Sequence, residues 1–347
     1  MTSFAYRVPL GALLLLASGP ALADHMGPSG FGSGGGMSVF SPDTLDGGHW
    51  AAGLRLTYTR PEQRSDATLE TLAARHIHAH NTDYNLNASA GIAYGVSHHL
   101  TVSAELPYVK RDDLREGEHS HSGGSVGTSV EQLGSVAGIG DLNLLAKYRL
   151  TEGRSSSFAL IAGIKVPTGS THRLSPDSER LETEHQPGTG SLDPIVGASA
   201  STKIGALQFT GSALYQFSTS GAQHTRLGNR LQAGVALSHR FGPAPHEHGE
   251  SMNHHHGDEI DEHHEHAHSS WDGFVEVAGE WEGRERVGGE IEEASGGKWV
   301  WVAPGLRFNA ASGWSASAAV ALPLWQRIRA SHPENDYRLT VSLGRAF

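Results

Sequence analysis

The 347-residue sequence has no cysteine, few aromatic residues and a shortage of positive charge. The absence of cysteine excludes disulfide bridges and thiolate metal sites. With 26 Lys and Arg against 37 Asp and Glu, the formal net charge is −11, which argues against a nucleic-acid partner. After the first two dozen residues, no apolar run reaches the roughly 20 residues that a membrane-spanning helix needs. Glycine is abundant instead, at 44 residues, and suits many tight turns.

The N-terminus has the layout of a secretory signal. Arg7 precedes an apolar run from Val8 to Leu16, and small residues lead to Ala23. The alternative is a membrane anchor, but the run is too short to cross about 30 Å of hydrocarbon. We therefore predict cleavage after Ala23 and exclude residues 1–23 from the fold.

The last twelve residues alternate between apolar and polar side chains. One side of an extended segment would carry Tyr337, Leu339, Val341, Leu343 and Phe347, and the other Arg338, Thr340, Ser342 and Gly344. This period of two is what a strand needs when one face meets lipid and the other a wet lumen. A final strand of this kind ending on Phe resembles the C-terminal signature of bacterial outer-membrane barrels.

Similar alternation recurs along the chain and predicts twelve strands. The segments are near 54–59, 84–94, 100–108, 142–150, 156–167, 192–204, 206–219, 229–241, 271–283, 298–309, 313–325 and 336–347. A soluble sandwich explains one such segment, but not twelve with Tyr and Trp near their ends. We predict an all-β fold: a transmembrane, antiparallel, up-and-down β-barrel in the outer membrane of a Gram-negative bacterium, with lipid as its surroundings and both termini periplasmic.

The lengths of the connections support this count. Short connections (96–99, 151–155, 204–206, 310–312) alternate with longer ones (61–82, 112–137, 168–191, 219–228, 284–297, 326–335). This matches short periplasmic turns and long outer loops. One connection, 242–270, is long although parity places it in the periplasm, so it is either an insertion or a sign of a miscounted strand pair.

The predicted domain organisation has three parts. The signal peptide, 1–23, is followed by the glycine-rich segment 24–48 and by the barrel, 49–347, with 242–270 as a disordered loop. We interpret 24–48 as a flexible lead-in; the alternative is a short plug that enters the barrel.

Several short phrases carry a family resemblance. They are Ser38–Thr44, Gly138–Leu142 running into Lys147–Arg149, Lys165–Gly169 and Gly188–Pro194. Together they make the chain similar to the outer-membrane proteins grouped with phenol degradation by the meta pathway, often labelled transporters. The resemblance implies a barrel and the passage of small molecules. It carries over no catalytic residues.

The glycines in these phrases have a structural interpretation. Gly138, Gly140, Gly169, Gly188 and Gly190 fall where strands meet long outer loops. A residue without a side chain permits a positive φ or a bulge there. We favour this role over ligand binding.

Residues 246–268 are dominated by histidine and acidic residues. Nine of the 23 are His and seven are Asp or Glu, with no apolar pattern, so we expect disorder without a ligand. Imidazole suits Zn²⁺, Cu²⁺, Ni²⁺ and Co²⁺, and carboxylates add charge attraction. Two shorter clusters repeat the pattern in outer loops. The predicted metal ligands are His246, His248, His254, His255, His256, His263, His264, His266 and His268, with His76, His78, His80, His119 and His121.

Other interpretations of the histidines remain open. The tracts would also serve as hydrophilic spacers or pH-sensitive segments. In the periplasm, 242–270 would act as a metal reservoir or as a docking site for a partner. No obligatory cofactor is predicted.

The strands offer no direct pair of nucleophile and base on one face, so we do not expect an enzyme. Ser238 and His239 are adjacent in a strand and point in opposite directions. Glu276, Glu280 and Glu282 share the lumen face instead. Their expected partners across the lumen are Arg55, Lys147, Arg149, Lys165, Arg230 and Arg240, an arrangement that would tune permeation.

The sequence thus predicts an outer-membrane channel or transporter for small solutes. Its histidine-rich loops would bind transition-metal ions, in metal handling or efflux. One alternative is a pore for small aromatic or hydrophobic compounds. Another is a metal-binding surface protein whose plugged barrel is only an anchor, since about twelve strands enclose a narrow interior.

Overall fold

Twelve antiparallel strands close into one barrel in the computed structural model, as predicted. The structure describes residues 36–122, 125–153, 155–241 and 269–347. The signal peptide and the tract 246–268 lie outside this range. The strands are β1 (Trp50–Pro61), β2 (Tyr84–Ser97), β3 (Leu100–Ser122), β4 (Leu142–Glu152), β5 (Ser156–Val166), β6 (Asp193–Ile204), β7 (Leu207–Gln216), β8 (Arg230–Phe241), β9 (Ser270–Glu282), β10 (Gly297–Asn309), β11 (Trp314–Ile328) and β12 (Asn335–Ala346).

The first and last strands of the barrel pair with each other. Strand β1 runs antiparallel to β12, with Leu54 opposite Leu343 and Thr57 opposite Thr340. At the rim, the Trp50 amide donates to the Phe347 carbonyl (2.8 Å) and the Phe347 amide donates back (2.9 Å). The predicted role of the C-terminal strand is therefore confirmed: it completes the ring.

Apolar and polar side chains lie on opposite faces of each strand. Apolar residues on the outer face are open to the surroundings, among them Leu54 at 59% and Val235 at 62% exposure. On the inner face, polar residues such as Ser199, Thr210 and Arg307 are buried. An outward apolar band and an inward polar wall are what a barrel in lipid requires. No helix in the described part of the chain is long and apolar enough to cross a membrane.

Short and long connections alternate between the two ends of the barrel. The β2–β3, β4–β5, β6–β7 and β10–β11 connections are short and share an end with Trp50 and Phe347. The connection after β8 leaves from this same short-turn end, so the predicted parity holds. The other end carries the long loops and is called the outer mouth below.

One predicted outer loop is largely a β-hairpin. Strand β3 continues to Ser122, and the strand Ser125–Ile139 pairs back along it before Gly140 and Asp141 lead into β4. The predicted long outer connection 112–137 is present, and most of it is regular structure. Beyond the lipid a strand has no reason to alternate apolar with polar residues, so the pattern gave no signal there.

The connection 61–82 also contains regular structure. Helix α1, Asp66–Ala73, begins at the N-cap Ser65, whose side chain accepts from the Thr68 amide. Its Leu69 and Ala73 are buried. A Cβ at Gly117 would lie 2.4 Å from the Leu69 carbonyl oxygen, so glycine lets the helix lie against the hairpin.

The remaining elements of the outer mouth are short. They are the strands His80–Asn81, Thr225–Arg226, Arg286–Val287 and Glu290–Ile291, and the 3₁₀ turns Thr183–His185 and Ala222–His224.

The segment before β1 enters the lumen. The Ser38 hydroxyl donates to Glu276 (2.7 Å), Lys147 donates to the Ser41 carbonyl (2.9 Å), and the Leu45 amide donates to Thr101 (2.7 Å). The interpretation of 24–48 as a flexible lead-in is therefore wrong for residues 36–46, which form the short plug that was the alternative. Polar groups on the wall bind the backbone of this N-terminal plug, because a wet lumen offers such partners to any extended segment.

A histidine fastens the plug at the short-turn end. His98 Nδ1 lies 2.6 Å from Asp46 and Nε2 lies 3.0 Å from Glu152. The Asp46 and Glu152 carboxylates raise the pKa of this exposed imidazole above its ordinary value. The ion pairs are thus present at low pH and are lost as pH rises through the raised pKa.

We expect the part of the plug that His98 holds, at the short-turn end of the barrel, to become more mobile as pH rises. A spin label on Gly47→Cys, the single cysteine in the chain, should become more mobile between about pH 5.5 and 8.5, a window around the reference histidine pKa of ~6.5. The same label in a His98→Asn background should show little pH dependence. Equal pH dependence in both proteins would contradict the assignment to His98.

Candidate functional site

A cavity of about 530 Å³ occupies the half of the lumen nearest the outer mouth. Its wall includes Thr57, Asn87 and Asn143 with apolar groups such as Trp299 and Pro187. The size falls within the usual range for small-molecule pockets, about 300–1,000 Å³. The N-terminal plug lies on the short-turn side of this space. The cavity is therefore the candidate site for a solute in transit.

Buried charges connect the cavity wall to the loop 167–192. Lys165 Nζ lies 3.2 Å from Asp141 and 2.8 Å from Asp193. Asp141 accepts from the amides of Gly169 (3.0 Å) and Thr189 (2.9 Å). These residues come from three of the four phrases that carry the family resemblance. The motifs thus act together, as an ionic latch (Asp141, Lys165 and Asp193) that holds an outer loop against the barrel.

The glycines of these phrases permit close approach rather than unusual dihedrals. A Cβ on Gly188 would lie 2.5 Å from the Gly169 backbone, and a Cβ on Gly140 3.1 Å from the Pro187 carbonyl oxygen. Of the five, only Gly190 has a positive φ, at 71°. The structural role agrees with the sequence interpretation, but positive φ was the right reason at this one position only.

Further pairs of oppositely charged side chains line the lumen. Glu282 pairs with Arg230 (3.0 Å) and Asp272 with Arg240 (2.8 Å), each between neighbouring strands. Glu280 pairs with Arg338 (2.6 Å), a residue outside the predicted set of partners. Arg338 also lies over the Trp301 ring, 4.4 Å from its centroid.

The inward direction of the three glutamates is confirmed, while their partners are confirmed only in part. Glu276 binds Ser38 of the plug, and Lys147 donates to the carbonyl of Ser41, also in the plug. Some of the predicted permeation charges therefore hold the plug in place. The reason is that the plug brings polar groups closer to them than the opposite wall does.

The predicted histidine ligands divide into three groups. His80 is buried at the outer mouth within a larger cluster. His76 lies against His119, with ring centroids 4.2 Å apart, and His78 Nδ1 lies 3.6 Å from Glu116. The side chain of His121 and the nine histidines of 246–268 lie outside the described residues.

The cluster around His80 contains residues that the sequence did not single out. Glu184 has a carboxylate oxygen 3.6 Å from His80 and 3.6 Å from His185, and another 3.9 Å from His332. Isolated histidines at positions 185 and 332 give no spacing signal. They meet His80 only because barrel closure brings the three loops together.

Burial governs protonation in this cluster. Desolvation lowers the pKa of His80 well below its ordinary value and that of His332 to about 4. It raises the pKa of Glu184 well above the usual carboxyl range. Both imidazoles are therefore neutral near pH 7, the form in which nitrogen lone pairs are available.

Comparisons with known proteins agree with the fold. A family model described as "Putative MetA-pathway of phenol degradation" matches residues 40–273. The structure of an outer membrane channel from Pseudomonas putida F1 is similar, with a TM-score of 0.53 and 15% identity, covering 88% of this chain and 97% of that one.

Two further structures are more distant. The β domain of the Bordetella autotransporter BrkA has a TM-score of 0.44 and 9% identity, covering 87% of this chain and 100% of that one. The toluene transporter TodX of Pseudomonas putida has a TM-score of 0.40 and 10% identity, covering 88% and 91%. A search of curated protein sequences gives no match.

Replacing Lys165 by Met should destabilise the barrel. The change leaves Asp141 and Asp193 buried without their shared cation, and breaking a buried ion pair in this way costs about 3–5 kcal/mol. Urea unfolding in detergent would measure the loss. Lys298→Met is the matched control, because Lys298 lies on the exposed outer face. Similar losses in both variants would argue against the latch.

Proposed function

The chain belongs to the MetA-pathway of phenol degradation family, and on that premise we propose that it is an outer-membrane channel for small aromatic or hydrophobic compounds. The observation that carries this proposal is the cavity at the outer mouth, enclosed by a continuous barrel. Its lining combines charged side chains such as Arg111 and Glu282 with hydroxyl and amide groups and with Trp299, Pro107 and Pro187. A small aromatic ring that carries a hydroxyl matches such a lining, since the ring contacts apolar surface and the hydroxyl finds polar partners.

Passage is passive in this proposal. No nucleotide-binding motif occurs in the sequence. The solute would move from the outer mouth into the cavity and then past the N-terminal plug. Secretion with cleavage after Ala23, residence in the outer membrane and a periplasmic position for 242–270 complete the proposal. No catalytic step is part of it.

The proposal predicts uptake of a phenolic compound. Proteoliposomes containing the protein should accumulate phenol or catechol faster than vesicles of the same lipid without protein. Transport at the rate of lipid-only vesicles would contradict a channel and favour the barrel as an anchor.

Removing the plug should widen the pathway. Deletion of residues 36–46 takes away the segment held by Glu276, Lys147 and Thr101. Single-channel conductance in planar bilayers should rise several-fold, because the lower lumen would fill with electrolyte. Deletion of residues 25–34 is the control of similar length and should leave the conductance nearer to that of the intact chain. Equal conductance in all three proteins would show that the plug does not limit flow.

Metal handling is the second candidate function, and the composition of 246–268 favours it. Nine histidines and seven acidic residues within 23 residues form a ligand set for Zn²⁺, Cu²⁺, Ni²⁺ or Co²⁺. In the periplasm the tract would hold ions or dock a partner beside the channel.

Calorimetric titration of Zn²⁺ tests the second candidate. The intact chain should bind more ions than a variant in which the nine tract histidines are Asn. Equal heats from the two proteins would remove metal handling by this tract.

A further inference from the structure

Three loops at the outer mouth each place one histidine beside the same carboxylate. His80 follows the loop that contains α1, His332 lies between β11 and β12, and His185 is next to Glu184 in the loop 167–192. His185 is only 2% exposed. All four residues line the outer cavity. The cluster therefore lies where the outer loops meet the cavity, and it shares no residue with the plug or the ionic latch.

The ring nitrogens are arranged so that one from each histidine faces the carboxylate. His80 Nδ1 and His185 Nε2 both lie 3.6 Å from one oxygen of Glu184, and His332 Nε2 lies 3.9 Å from the other. The nitrogens not facing Glu184 on His80 and His332 are 3.0 Å apart, at hydrogen-bonding distance. Only one of the two neutral rings can donate across this contact: with His80 Nε2 as the donor, His80 Nδ1 keeps its lone pair and His332 Nε2 carries its proton toward Glu184. His332 then acts as the outer partner that orients the His80 ring.

One of the inward nitrogens lacks a hydrogen bond. Nε2 of His185 is buried and has no hydrogen-bond partner among the described residues. The ligand atoms of His80, Glu184 and His185 all lie within 4.8 Å of one another. Around a tetrahedral ion at about 2.1 Å, ligand atoms are roughly 3.4 Å apart, so small ring rotations would complete a coordination sphere.

We propose that His80, Glu184 and His185 bind a divalent transition-metal ion at the outer mouth of the lumen, with His332 orienting the His80 ring. Two imidazoles and one carboxylate form a donor set typical of Zn²⁺ and also suited to Co²⁺ or Ni²⁺. The site is separate from the tract 246–268, and it does not depend on which solute crosses the barrel. An ion there would join two outer loops above the cavity, and the His332 contact with His80 would connect the third.

The surrounding charges are mixed, and they set the strength of the site. Arg111 donates to the His185 carbonyl (3.2 Å), and Arg64 donates to the His332 carbonyl, so two cations lie nearby. Glu116 lies 3.8 Å from His185 Nε2, and with Glu182 it forms an adjoining group that could also hold an ion. These two carboxylates offset the two arginines, which leaves Glu184 as the negative group for a cation.

Cobalt is the probe for the experiment, because Co²⁺ in a tetrahedral site absorbs visible light strongly. The full chain in detergent, with the nine tract histidines changed to Asn, serves as the starting protein. Titration should give one saturable set of visible bands. His185→Asn and Glu184→Gln should each weaken binding by more than roughly tenfold, a cost seen even when outer partners of a metal are lost. His172→Asn, an exposed histidine of the same loop, should bind as the starting protein does.

Two outcomes would overturn the proposal. One is the absence of visible bands in the starting protein; the other is unchanged binding in His185→Asn and Glu184→Gln. Heat-modifiable electrophoretic mobility checks that each variant is folded. Should a variant not fold, X-ray absorption of the Zn²⁺-loaded starting protein decides: histidine and oxygen ligands support the site, and water oxygens alone reject it. None of these readouts involves conductance, so failure here is distinct from failure of the channel proposal.

Discussion

Every backbone N–H and C=O in the hydrocarbon layer must find a partner within the protein, because lipid offers none. Closure of β1 on β12 meets this constraint. Once Trp50 and Phe347 exchange their hydrogen bonds, no strand edge is left open within the ring. The alternation of side chains follows from the same closure, since each strand then has one face in lipid and one in the lumen. The glycine-rich composition is compatible with it, because small residues let the chain turn and pack closely inside a narrow barrel.

A narrow wet interior imposes a second constraint, which concerns charge. Ionised side chains that point inward are partly removed from water, and each needs a partner. Neighbouring strands supply some of these partners, as for Arg240 and Asp272. Segments folded back into the barrel supply others: the plug satisfies Glu276 and Lys147, and the loop 167–192 satisfies Asp141. The lumen is thus divided into a plugged lower half and an outer cavity.

This division bears on function. A cavity that is open to the outer loops and restricted below by a hydrogen-bonded segment suits a channel whose flow is limited by that segment. The same loops that roof the cavity bring His80, His185 and His332 to Glu184. The proposed solute path and the proposed ion site therefore share one entrance: the path uses the whole cavity, and the ion site is one cluster in its wall.

The sequence alone determined the barrel, its twelve strands, the parity of its loops and the inward direction of Glu276, Glu280 and Glu282. Alternation is a local property, and lipid on one side enforces it residue by residue. The tertiary structure decided the rest. The hairpin beyond the lipid, the plug at 36–46, the pairing of Glu280 with Arg338 and the meeting of three distant histidines depend on which segments closure brings together. No local pattern records such contacts, because residues such as 80, 185 and 332 become neighbours only when the ring is complete.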